Sequence, residues 1–136
     1  MLRRALLEEE AARPPLERLR RYFEAYAESL AKQGFARGCL LGSLSAEIAD
    51  HSDAVRERLI RAFADWRDMV AAVLEEARAR GELPDGLSPA AAADFLVNGW
   101  EGALVRMKTE KSGQPLTLFI ATAFDRLLVS SDRKRR

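Results

Sequence analysis

Residues 53–81 read DAVRERLIRAFADWRDMVAAVLEEARARG, and this stretch decides the fold. Val55, Leu59, Ala62, Phe63, Trp66, Met69, Val70, Val73, Leu74 and Ala77 recur three or four residues apart, the spacing that stacks side chains on one face of an α-helix. Ser52 offers an N-cap hydroxyl and Gly81 a C-terminal stop. At 1.5 Å per residue the helix is roughly 40 Å long, enough to run the full length of a small domain. It is the spine against which the other segments must pack.

The same periodicity extends outward in both directions. Upstream, Pro14 and Pro15 open LERLRRYFEAYAESLAKQGF, with Leu16, Leu19, Phe23, Tyr26 and Leu30 at helical spacing and Gly34 at its end. Between that helix and the spine lies GCLLGSLSAEIADHS, residues 38–52. Leu41, Leu44 and Ile48 fall at i, i+3 and i+7, so this run predicts a short buried helix. Gly38 and Gly42 leave one side of it bare, where another backbone or a ligand can approach closely. Downstream, GELPDGL is a turn by composition, and Ser88–Pro89 is the N-cap and first-position proline of a helix that runs to Gly113. A last helix begins at Pro115 and carries Leu116, Phe119, Ile120, Ala123, Phe124 and Leu127 as a broad stripe. No alternating strand pattern competes, and the expected architecture is an all-α bundle of five to six helices.

With 136 residues, the chain is long enough for one domain with its own core. No stretch approaches the roughly 20 apolar residues of a membrane span, and the first 15 residues lack the apolar core of a secretory signal, so a cytoplasmic location and no membrane partner are expected. The single cysteine fits a reducing compartment. The net charge of +1 excludes the cationic surplus that DNA binding requires, so this chain alone is not expected to bind DNA. The basic cluster Arg133–Arg136 reads as part of a disordered tail, 129–136.

Catalytic constellations are missing. His51 is the sole histidine and falls in an inter-helix turn. There is no CxxC and no phosphate-cradling glycine loop, and Glu75, Glu76 and Glu8 to Glu10 read as solvated faces beside arginines. An enzyme is not expected, nor any cofactor or metal.

The order of segments carries more information than any one of them. GCLLGSLSAEIAD, the GEL turn after a long Ala- and Glu-rich helix, and NGWEGALVRMK together resemble the C-terminal regulatory half of TetR/AcrR-type transcriptional regulators, over residues 16 to 128. The resemblance implies an effector-binding and dimerisation domain whose ligand controls operator binding allosterically in the intact repressor. The family's helix-turn-helix part has no counterpart in the sequence, and residues 1–15 resemble a remnant of the helix connecting the two domains. A rival reading is a stand-alone helical protein that heterodimerises with a full-length regulator and titrates it.

The family plan implies a homodimer built on the last two helices of each subunit. Gly99, Gly102, Ala103 and Arg106 fall on one side of the penultimate helix and are its candidate interface residues. Leu116, Phe119, Ile120, Ala123, Phe124 and Leu127 are the candidates on the closing helix, with service to the subunit's own core alone as the alternative. By the same plan a small, largely apolar effector occupies the interior beside the spine. Tyr22, Tyr26, Cys39, Leu41, Phe63, Trp66 and Met69 are candidate lining residues, joined by Phe95, Asn98 and Trp100. The ordinary alternative for each is plain core. Asn98, if buried, must find hydrogen-bond partners. Cys39 can be read in two ways: a thiol at a helix N-terminus is activated by the dipole, whereas one buried among leucines is inert packing.

Overall fold

The structure, a computed structural model, describes residues 12–130. The expected connecting-helix remnant, apart from its last residues, and all but the start of the basic tail lie outside the described residues. Five α-helices follow in order: α1 (Pro15–Lys32), α2 (Leu40–Ile48), α3 (Asp53–Ala79), α4 (Pro89–Glu110) and α5 (Gln114–Thr122). A π-helical turn, Ala123–Leu127, closes the last of them. No strand occurs among the described residues.

Local chemistry fixes most helix ends where the sequence places them. The Ser52 and Ser88 hydroxyls each accept the N–H three residues on, from Val55 and Ala91, both at 3.3 Å. Gly81 takes φ +69°, the left-handed turn that releases the chain from α3 at little steric cost. The end of α4 differs from expectation. It stops at Glu110, and Lys111 adopts φ +52° while its N–H closes on the Met107 carbonyl. A non-glycine residue in that conformation costs about 1 kcal/mol.

The spine reading holds along α3, but only its second half is core. Trp66, Val70, Val73, Leu74 and Ala77 are buried against α1 and α4, with Leu59 the one buried residue before them. Phe23 of α1 sits at the centre of an aromatic cluster, its ring 4.9 Å from Trp100, 5.5 Å from Phe119 and 6.1 Å from Phe124. Arg18 of α1 is buried and donates to the more exposed Glu76 of α3 at 2.8 Å, while Arg20 reaches Asp125 of the π turn at 2.6 Å.

Two expectations about the packing change. The short helix after Gly38 forms, yet none of its residues is fully buried. It packs chiefly on α3 and lies at the edge of the bundle, so its apolar residues are half-covered. The closing stripe also divides. Leu116, Ile120, Ala123 and Phe124 are buried within the subunit, whereas Phe119 is half-buried and Leu127 is exposed; past the stripe the Leu128 N–H reaches back five residues to the Ala123 carbonyl, and Leu128 is buried as well.

Candidate functional site

The interior among α1, α3 and α4 is built from aromatic side chains with polar ends. Tyr26 lies 5.5 Å from Trp100, and Phe63 stacks 6.5 Å from Trp66. Leu41, Phe63 and Met69 are half-buried and pack against the same core. Tyr22, Cys39, Trp66 and Trp100 are buried. The Trp100 indole N–H is buried and meets no acceptor among the described residues. Such a donor costs free energy unless something pairs with it.

Eight of the ten expected lining residues therefore share this region, and two do not. Phe95 is 57% exposed and Asn98 is also on the outside. Both sit on α4, where Leu96, Val97 and Trp100 take the inward positions, so the helix turns Phe95 and Asn98 the other way.

Sequence reasoning passed over Glu101, the neighbour of Trp100. Its carboxylate crosses from α4 to the first turn of α2, where it lies against the α-carbon of Gly42 so closely that a methyl group there would collide with Oε2. The Cys39 thiol hydrogen-bonds to the same carboxylate. Burial pushes the thiol above its ordinary pKa and Glu101 adds to the effect, while the Gly42 and Leu41 N–H groups pull the other way. Cys39 is thus held protonated and shielded, the unreactive form. The bare glycine side of α2 was the signal that something approaches closely there.

A second region is formed on the outside of α4 and α5. Phe95, Gly99, Ala103 and Arg106 face Pro115, Leu118, Phe119, Thr122, Ala123 and Leu127 across an apolar groove of about 280 Å³. A methyl on Gly99 would stand 2.8 Å from the Phe119 ring, so this glycine serves the α4–α5 crossing inside one subunit. Gly102 is exposed with open space around it, and exposed Arg106 pairs with Glu110 at 2.7 Å. Leu116, Ile120 and Phe124, expected on this face, are core residues. The exposed apolar groups are instead Phe95, Leu118 (61%) and Leu127 (47%). Pro115, Leu118 and Thr122 form the row beside the expected stripe, legible as spacing but overlooked beside the stronger row.

Elsewhere His51 is exposed in the α2–α3 turn. Among the described residues no group of three or more His, Cys, Asp or Glu could hold a metal ion. No helix among them is long and apolar enough to cross a membrane.

Residues 15–123 match the tetracyclin repressor-like, C-terminal domain family. This chain belongs to that family. It is 39% identical over 124 residues to the HTH-type transcriptional repressor DhaR of Mycobacterium sp. (strain GP1), covering 91% of this chain and 61% of DhaR. It is 40% identical over 108 residues to the transcriptional regulator AcuR of Cereibacter sphaeroides, covering 79% of this chain and 49% of AcuR. The crystal structure of a regulatory protein TetR from Rhodobacter sphaeroides superposes with a TM-score of 0.84 at 37% identity, over 91% of this chain and 67% of that one. The chain thus spans about half to two thirds of the length of its relatives, and the ordered motifs around GCLLGSL and NGWEGALVRMK reflect membership of the TetR family.

Proposed function

We propose that this chain is the effector-binding and dimerisation part of a TetR-type transcriptional repressor. Family membership supports the regulatory role, and the two regions of the structure divide its parts. The inner region, with Tyr26, Trp66 and Trp100, takes a small, largely apolar effector. The unpaired Trp100 N–H carries this assignment, because a buried donor without an acceptor favours a ligand that brings one. The outer groove between α4 and α5 takes the same face of a second subunit, with Phe95, Leu118 and Leu127 as the apolar anchors. In the intact protein, effector occupancy changes the relative placement of two DNA-reading heads, a coupling between distinct sites.

Native mass spectrometry of the purified chain tests both parts at once. The expected species is a dimer that retains or takes up a small molecule, with uptake weakened in Trp100→Phe, which keeps an aromatic ring and removes the N–H. A monomer at micromolar concentration contradicts the dimer face. Uptake that is unaffected by Trp100→Phe contradicts the inner site as described.

A further inference from the structure

We propose that Glu101 is a clasp that holds α2 closed against α4, making α2 a hinged flap at the edge of the aromatic interior. The proposal stands on geometry within the chain and does not depend on the effector reading.

A helix N-terminus exposes unpaired N–H groups and a partial positive charge. Most helices answer these from their own sequence, with a capping side chain or an acid in the first turn. α2 has neither: Cys39 at the cap position makes no side-chain cap bond, and the first turn holds no acidic residue. The missing negative charge comes from another helix. Glu101 of α4 brings its carboxylate to this turn, against Gly42 and within hydrogen-bonding reach of the Cys39 thiol. Only a residue without a side chain at position 42 leaves room for it.

The rest of α2 is weakly held. None of its residues is fully buried, Leu40 is 70% exposed, and Leu41 is its one member packed on the main core. The segment before it runs along α4 and the start of α5. Phe35 touches Gly113, where a methyl would stand 3.2 Å from the ring, and Gly38 faces the Lys108 stem. Gly34 and Phe35 both have positive φ, +64° and +56°, which places a sharp, strained bend at the near end of the flap. The Ala49–Ser52 turn supplies the far end. Opening at these two ends would separate Cys39 and Leu41 from the core while leaving the α1–α3–α4–α5 packing in place.

The clasp and the ordinary helix-propensity view of Gly42 make opposite predictions. Alanine is a better helix former than glycine, so Gly42→Ala would tighten α2 if the glycine were merely a flexible helix position. With the clasp, the added methyl displaces the flexible end of Glu101 and the flap loosens. Hydrogen–deuterium exchange of the peptide covering 40–48 in the purified chain reads this directly. Exchange in Gly42→Ala should rise roughly tenfold, the factor that corresponds to losing one charge-assisted hydrogen bond, while peptides from α1, α4 and α5 stay unchanged. Glu101→Ala should give the same change, the double variant no more than either single one, and Glu101→Gln a smaller one. Slower or unchanged exchange in Gly42→Ala overturns the proposal, as does protection of 40–48 that survives in Glu101→Gln and Gly42→Ala alike. Circular dichroism confirms that each variant is folded, and Glu101→Gln with Gly42→Ala suffices should Glu101→Ala fail to fold.

Discussion

The two ends of this bundle are built to different standards. At one end Phe23, Trp100, Phe119 and Phe124 interlock with ring centroids 4.9 to 6.1 Å apart, and Leu19, Leu74, Leu96, Leu104 and Met107 close the space around them. At the other, α2 and the first half of α3 contribute only Leu59 as a fully buried residue and leave Leu40 and Ile60 in solvent. Free energy of local opening follows such differences in packing, so the aromatic end should open only with global unfolding and the α2 end well before it. One end is thus fixed by ring packing, and the other is held by few buried contacts.

The largest test of the contrast is Trp100→Ala. Truncating a fully buried tryptophan should cost about 3–5 kcal/mol in urea unfolding, whereas Leu44→Ala on the half-buried α2 should cost less than about 1 kcal/mol. Equal losses at the two positions would erase the distinction. Next comes the outer face. Leu118→Arg should leave a folded chain that sediments as a monomer, while Phe124→Arg, placing a charge inside the aromatic cluster, should fail to fold. A folded Phe124→Arg monomer would return that residue to the interface.

A smaller effect concerns pH. Folding raises the Cys39 pKa, so the folded state keeps the thiol proton to higher pH than the unfolded chain does. The resulting stability is present below the ordinary thiol value and is lost as pH rises through the raised one. Between about pH 8 and pH 10 the parent chain should lose more stability than Cys39→Ala, read as the difference in urea midpoint. The smallest expected effect is at Lys111. Glycine there removes the penalty of the left-handed conformation and should raise the unfolding midpoint by an amount corresponding to about 0.5–1 kcal/mol.

The sequence was most legible where one physical signal dominates. Ser52, Ser88, Pro89 and Gly81 mark helix ends because the capping chemistry is local, and the α3 stripe is legible because 3.6-residue periodicity needs no partner to be seen. The family was legible from the order of three motifs. Facing was harder. Phe95 and Asn98 are candidates for the interior by the family plan, but a helix turns 100° per residue and the choice of inner face depends on which helices flank it. The closing stripe reads as core or as interface alike, because periodicity cannot tell a subunit's own core from its partner's surface. Leu116 and Phe124 are buried in the subunit's own core, whereas Leu118 and Leu127 are exposed. Glu101 left no trace in the pattern, since its role depends on a glycine 59 positions away.

The chain's two tryptophans are both buried, one at the centre of the aromatic end and one at its boundary with the loose end. Trp100 is wrapped by Phe23, Tyr26 and Phe119, while Trp66 stacks on half-exposed Phe63 where the packed half of α3 begins. Single-tryptophan variants would separate the emission of the aromatic end from that of the boundary with the loosely packed one, so that one fluorimeter trace distinguishes a local change at α2 from loss of the whole fold.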